Sequence, residues 1–219
     1  MRIVKEAEER RNEILDVAEE LFALKGYDAT STNDILNRIG IARGTLYYHF
    51  ESKESILDAM IERISNSLIA KASVVASRND IPVVDRIVQS IMSLNVESRI
   101  GDEIMKQVHK PQNALMHQKM QEYLQSKIVP IITKLVEEGI EEGIFKTDYP
   151  KQTVEMLLLY SAEAFDAQNE LTNEQMLERM NAFIYNTERL LGAKSGSMTE
   201  SMKQNICVAC MNKLSKQRM

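Results

Sequence analysis

The sequence predicts an all-α protein. Glycine, proline and tryptophan are scarce, at 8, 4 and 0 of 219 residues, while Leu, Ile, Glu, Lys and Met, which give up little freedom in a helix, are abundant. Apolar residues recur at spacings of three and four, the helical period, not at the period of two that a half-buried strand shows. Glycines and short hydroxyl or acidic residues fall at the ends of those periodic stretches, where helices start and stop. With 44% hydrophobic residues the chain can bury a sizeable core and fits one large or two small domains.

The first helix is expected over about Glu6 to Lys25, with Ile14, Leu15, Ala18, Leu21 and Phe22 on one stripe and Gly26 closing it. Ser31 followed by Asp34 is a helix start signal: the hydroxyl accepts an orphan backbone N–H and the carboxylate sits in the first turn. Ile35, Leu36 and Ile39 supply the apolar face of this second helix, and Gly40 ends it in the left-handed conformation at little steric cost. A third helix beginning near Ala42 sets Leu46 and Phe50 four residues apart on the core side. Arg43 and Tyr47, also four apart, sit with Gly44 and Tyr48 on the side left for a partner.

Two short helices around a glycine turn, the second opening on Arg and Gly, suit a helix-turn-helix whose second helix enters a DNA major groove. Arg43 is the best candidate base reader. Tyr47, Tyr48, His49 and Lys53 carry hydroxyl, ring N–H or ammonium donors suited to phosphate oxygens, contacts that fix register without reading sequence. The segment GYDATSTNDILNRIGIARGTLYYHFESKESIL, Gly26 to Leu57, resembles the DNA-binding signature of the TetR family of bacterial transcriptional regulators. The resemblance implies that Thr32 and Asn33 touch the DNA backbone or a groove edge, that Arg43, Gly44 and Tyr47 approach bases, and that Thr45, Tyr48, His49 and Lys53 contact phosphates.

The net charge of −5 argues against a nucleic-acid partner, because phosphate neutralisation draws on basic surface. Between Lys25 and Lys53, however, Lys25, Arg38, Arg43 and Lys53 outnumber Asp28, Asp34 and Glu51, a local charge of +1. A compact dimer using few phosphate contacts, backbone donors and helix N-termini still binds on such a field, with strong salt sensitivity. No apolar run approaches the roughly 20 residues of a membrane span, and MRIVKEAEERRNEIL is charged throughout, so a soluble cytoplasmic protein with no membrane partner is expected.

The Ser52-Lys53-Glu54 turn starts a longer helix whose Ile56, Leu57, Met60, Ile61, Ile64 and Leu68 form a stripe linking two domains. Asp80 is expected to cap the next helix, with Pro82 in its first turn and its end near Ser98. Further helices are expected near Asp102 to Lys110, then, after a break at Pro111, over Asn113 to Ser126 and Lys127 to Glu142, with Pro130 in the first turn of the latter. The acids between Glu137 and Glu142 read as a hydrated helix end, not a metal site. Helices over about Pro150 to Asn169 and Asn173 to Leu191 carry Val154, Leu157, Leu158 and Phe165, then Met176, Met180, Phe183 and Ile184. These stripes either pack against symmetry mates in a four-helix bundle, making a homodimer, or face their own domain. Met92, Met105, Met116, Met120, Tyr123 and Phe165 either line an adaptable apolar effector cavity or are plain core.

Gly192 to Ser197 reads as a flexible joint before a tail of net charge +4, helical from Thr199. Cys207 and Cys210 form a lone C-x-x-C better suited to packing than to zinc or redox chemistry. His49, His109 and His117 do not assemble a metal site by spacing, and no nucleophile triad, phosphate loop or nucleotide fingerprint appears. No enzyme, metal or cofactor is expected. The sequence thus divides into a helix-turn-helix domain over 1–52, a helical effector-binding and dimerisation domain over 53–192, and a basic tail over 193–219. The expected function is that of a dimeric regulator, most simply a repressor, released from a near-palindromic double-stranded DNA operator by an apolar or amphipathic small molecule. The alternative is a small-molecule-binding or interaction module whose DNA-binding domain is vestigial.

Overall fold

The computed structural model of the protein describes residues 2–94, 113–165, 171–199 and 201–202, with side chains from residue 7 onward. Eight helices are present among the described residues: α1 (Arg2–Lys25), α2 (Thr32–Ile39), α3 (Arg43–His49), α4 (Lys53–Ala76), α5 (Val83–Met92), α6 (Ala114–Glu141), α7 (Pro150–Ala164) and α8 (Asn173–Leu190). No strand occurs among them, and none of these helices is long and apolar enough to cross a membrane. The chain forms two compact units, one of residues 2–67 with 113–124, the other of 68–94 with 125 onward.

The core of the first unit is built on the stripe the sequence shows. Ile14, Leu15, Ala18 and Phe22 of α1 are buried with Ile35 of α2, Leu46 of α3 and Ile56, Leu57, Met60 and Ile61 of α4. Gly26, at φ 89, turns the chain out of α1, and buried Thr30 donates its hydroxyl to the Gly26 carbonyl at 2.8 Å. Arg63 of α4 holds α1 through Asp16 and Glu19, both at 2.7 Å. The first turns of α6 complete this unit: Met116 and Met120 are buried in its core, and Lys119 bridges Glu54 and Asp58 of α4 at 2.9 and 2.8 Å. Those two carboxylates, Asp58 foremost, hold the Lys119 ammonium above its ordinary pKa.

In the second unit Val83, Ile87 and Val88 of α5 pack with Ile128, Ile132, Leu135 and Val136 of α6, Val154 and Leu158 of α7, and Met180 and Ile184 of α8. Arg86, 5% exposed, donates to Glu138 at 2.8 Å and to the Ala76 carbonyl at 3.3 Å. One of the acids expected on a hydrated helix end is therefore the partner of a buried cation. Phe145 folds back on α6 so closely that a Cβ on Gly139 would overlap its ring, and both Ile144 and Phe145 donate backbone N–H groups to the Gly139 carbonyl.

Several expected boundaries move. α1 begins at Arg2, four residues before the expected Glu6. Asp80 does not cap α5; it takes both the Nε and Nη2 of Arg78, and Pro82 itself occupies the cap position. α6 is one helix running through Pro130, not two. A proline inside a helix removes one backbone bond and crowds the preceding turn, a cost of about 3 kcal/mol. Burial of Met116 and Met120 before it, and of Ile128, Ile132, Leu135 and Val136 around and after it, outweighs that cost. α5 ends at Met92 and α7 at Ala164; the helix expected near Asp102 to Lys110, Met105, His109, Pro111, Cys207 and Cys210 lie outside the described residues.

The expected flexible joint at Gly192 to Ser197 is instead a fastened turn. Gly192 sits at φ 63 against the Lys146 carbonyl, and the Lys146 N–H donates to the Leu191 carbonyl at 2.7 Å. Glu188, 4% exposed, accepts the backbone N–H groups of Gly196 at 2.8 Å and Met198 at 2.9 Å, and Met198 and Met202 enter the core. A glycine- and serine-rich composition signals freedom only when no buried acceptor claims the backbone donors.

Candidate nucleic-acid interface

The start of α2 is fixed by a capping box. Ser31 accepts the Asp34 N–H at 3.1 Å, while the Asp34 carboxylate takes the Ser31 N–H at 2.8 Å and its hydroxyl at 2.6 Å. These bonds, with Lys25 at 3.0 Å, hold the Asp34 carboxyl well below the usual carboxylate range. Thr32 and Asn33 therefore occupy the first turn of a helix whose end is rigid. Gly40, at φ 78, closes α2 by donating to the Leu36 carbonyl at 2.8 Å, and three residues later α3 begins.

Along α3 the residues sort by depth as the spacing requires. Leu46 is 1% exposed, and Phe50 just beyond the helix is 5% exposed under the guanidinium of Arg11, 5.0 Å from its ring centroid. Tyr48 is 79% exposed and Tyr47 41%, large aromatic surface that a monomeric core has no use for. Arg43 and Gly44 are exposed, Thr45 and His49 half-buried, and a Cβ on Gly44 would meet nothing within 4 Å. The Tyr48 and His49 rings meet edge to face at 5.0 Å.

Thr32, Arg43 and Tyr47 form one cluster. The Arg43 guanidinium stands 5.6 Å from the Tyr47 ring centroid. Polar interaction with Arg43, and less so with Thr32, favours the phenolate and pulls the Tyr47 pKa below its ordinary value. Lys53, at the first turn of α4, donates to the Tyr27 carbonyl at 2.8 Å and lies 4.1 Å from the Tyr27 ring centroid. An ammonium has three donors, so this anchoring leaves others for a phosphate.

The cations of this segment are unequal in a way that composition does not reveal. Lys25 is paired with Asp34, and Arg38 with Glu20 at 2.6 Å. Arg43 stands over the Tyr47 ring and Lys53 is held by the Tyr27 carbonyl and ring; among the described residues neither is paired with a carboxylate. The two cations of this segment with uncancelled charge are thus two of those expected to contact DNA. Arg38 is paired with Glu20, which lies outside the motif, so counting charges along the segment misses the division.

Of the residues expected to line an effector cavity, three lie in the first unit, two in the second, and Met105 outside the described residues. Met116 and Met120 are buried in the first unit with Tyr123 packed on them, and the Tyr123 hydroxyl donates to Asn66 at 2.9 Å. Met92 and Phe165 pack on the core of the second unit. Of the residues expected at a dimer interface, Val154, Leu158, Met180 and Ile184 are buried within their own unit, and Leu157, Phe165 and Phe183 pack partly buried against them. Met176 is half-buried. The exposed apolar residues of these helices are others: Met156, Leu159 and Tyr160 on α7, Leu177 and Tyr185 on α8, each more than half exposed. An unbroken apolar stripe hides this division, since both sides of the helix are apolar.

Comparison with known proteins agrees with the geometry. Residues 14–60 match the family described as bacterial regulatory proteins, tetR family, and residues 96–185 match the tetracyclin repressor-like C-terminal domain. The chain is 44% identical over 72 residues to the HTH-type transcriptional repressor KstR2 of Rhodococcus jostii, covering 32% of this chain and 35% of that protein. It is 42% identical over 52 residues to IcaR of Staphylococcus aureus, the negative transcriptional regulator of the biofilm operon icaADBC, covering 24% and 28%. The matched stretches thus span about a third of these relatives' length. A TetR-family transcriptional regulator from Pectobacterium atrosepticum superposes with a TM-score of 0.62 at 22% identity, over 85% of this chain and 96% of that one. Salmonella enterica GusR gives 0.60 at 20% identity, over 84% and 95%.

Proposed function

Because this chain belongs to the TetR family of bacterial transcriptional regulators, we propose that it is a repressor that reads a near-palindromic operator as a homodimer and is released by a small molecule. The observation that carries this reading is the Thr32, Arg43 and Tyr47 cluster on exposed helix surface, backed by a buried Leu46 and bearing unneutralised positive charge. α3 enters the major groove, Arg43 reads a base edge, Gly44 lets the backbone approach, and Tyr48, His49, Thr45 and Lys53 hold phosphates. Thr32 and Asn33 bring the first turn of α2 to the same backbone.

Two-fold symmetry follows from the apolar surface of α7 and α8. Met156, Leu159, Tyr160, Leu177 and Tyr185 form the contact that a second copy covers, with the two half-sites roughly 34 to 36 Å apart or somewhat more. The effector, apolar or amphipathic, binds the helical domain and favours the spread arrangement of the two reading helices, with a coupling of about 1 to 3 kcal/mol. The protein works in the cytoplasm, where its operator is.

Selection of bound sequences from a random DNA pool tests this. Enrichment of one inverted repeat, abolished as salt rises several-fold, is the expected result; a pool that stays random defeats the reading.

A further inference from the structure

Residues 113–124, some 60 residues beyond the helix-turn-helix, are built into the unit that carries it. Asn113 is fully buried, and its Oδ1 accepts the backbone N–H of Tyr27 at 2.6 Å, across 86 residues of chain. That N–H lies just past α1, where Gly26 at φ 89 has turned the chain away from the helix and its carbonyls. A buried backbone donor without an acceptor is costly, so Asn113 supplies what the elbow between α1 and α2 does not supply for itself.

The elbow in turn holds a DNA-facing cation. Tyr27, 6% exposed, stacks edge to face on Phe22 at 5.2 Å, offers its carbonyl to Lys53 Nζ at 2.8 Å and presents its ring to the same ammonium at 4.1 Å. Five residues downstream of Tyr27, α2 begins with Thr32. Six residues after Asn113, Lys119 fastens the first turns of α6 to Glu54 and Asp58, one and five residues after Lys53.

We propose that Asn113 is a positioning residue for DNA binding: its carboxamide latches the start of α6 to the α1–α2 elbow and so sets Lys53 for its phosphate. The chain of contacts is Asn113 to the Tyr27 N–H, then the Tyr27 carbonyl and ring to Lys53. Opening the latch weakens phosphate contact without changing the base that Arg43 reads, because Arg43 is held separately by Tyr47. The first turns of α6 are thereby fastened to the helix-turn-helix. This rests on the regulator reading above.

The test compares wild type and Asn113→Ala by amide exchange at Tyr27, by operator binding over a salt series, and in a double-mutant cycle with Lys53→Ala. Tyr27 exchange is expected to rise at least about tenfold while the Leu46 amide keeps its protection. Operator affinity falls about 5- to 30-fold, and the salt dependence becomes shallower by about one phosphate contact per protomer. Base preference is unchanged, and Lys53→Ala added to Asn113→Ala costs less than about a further twofold. Asn113→Asp, which keeps an oxygen acceptor, restores Tyr27 protection. Unchanged exchange at Tyr27, or losses that multiply in the cycle, overturns the proposal. If Asn113→Ala does not fold, Lys119→Gln on the rim of the same docking carries the test, with the same direction expected in exchange and salt slope and no change counting against it. A wild-type protein that binds no operator defeats the regulator reading, and the exchange at Tyr27 still decides the latch.

Discussion

Arg43 lies over Tyr47, one turn along α3, with its guanidinium 5.6 Å from the ring centroid. A long flexible cation on an exposed helix ordinarily samples many rotamers, and binding then costs the entropy of choosing one. Here the Tyr47 ring face restricts it before DNA arrives. An acidic protein gains more from such ordering than from general attraction to phosphate.

The two halves of this cluster separate in a binding experiment. Arg43→Ala is expected to relax base preference at one position of each half-site, by about 1 to 3 kcal/mol of discrimination per site. Tyr47→Phe keeps the ring beneath the cation and removes only the hydroxyl, so it weakens binding while leaving the preferred base the same. Selected-sequence profiles of the two variants check this. A changed consensus with Tyr47→Phe, or an intact one with Arg43→Ala, reverses the roles.

Acid acts on the start of α2 through Asp34. Its folded pKa is depressed by the Ser31 bonds and Lys25, so its contribution is complete above the unfolded value of about 3.9 and is lost as pH falls through the folded one. Melting temperatures of wild type and Asp34→Asn should therefore differ by a constant amount above about pH 5, and the gap should close only below about pH 4. A gap that closes near neutrality, or that persists unchanged to the acid limit of folding, contradicts the capping geometry.

Much of this was legible in the sequence where the signal is local. The Ser31–Asp34 box, the left-handed Gly40, the buried Leu46 and the exposed Tyr47 depend on residues within one or two turns, and spacing reports them. What spacing does not report is pairing at a distance. Glu20 neutralises Arg38, Asn113 serves Tyr27, Glu188 gathers the Gly196 and Met198 donors, and burial on both sides of Pro130 carries α6 through it. On α7 and α8 the difficulty is different: an all-apolar stripe gives the period but not the side that faces inward, and Val154 and Leu159 look alike until one is buried.

That distinction is measurable. Leu159 is half-exposed in the single chain, so Leu159→Glu is expected to change subunit stability by less than about 0.5 kcal/mol while converting the dimer to monomers and removing tight operator binding. Val154, 1% exposed, behaves the opposite way: Val154→Ala lowers the melting temperature, by about 2 kcal/mol in stability, and leaves association intact. Sedimentation velocity with thermal melts resolves the pair. A Leu159→Glu protein that stays dimeric places the interface elsewhere.

The turn after α8 gives a contrast between two glycines in the same backbone region. Gly143, at φ 74, has open space where a Cβ would go, whereas a Cβ on Gly192, at φ 63, would overlap the Lys146 carbonyl oxygen. Alanine at either site incurs the left-handed strain of an L-residue, about 1 to 2 kcal/mol. At Gly192 the overlap adds to it, and the Lys146 N–H bond to Leu191 ties both strands of the turn so that neither withdraws freely. Gly192→Ala should therefore destabilise by at least about 1 kcal/mol more than Gly143→Ala in denaturant titrations, an excess beyond the shared backbone strain. Equal effects would mean that the turn yields as a flexible joint does, and that Glu188 does not fasten it.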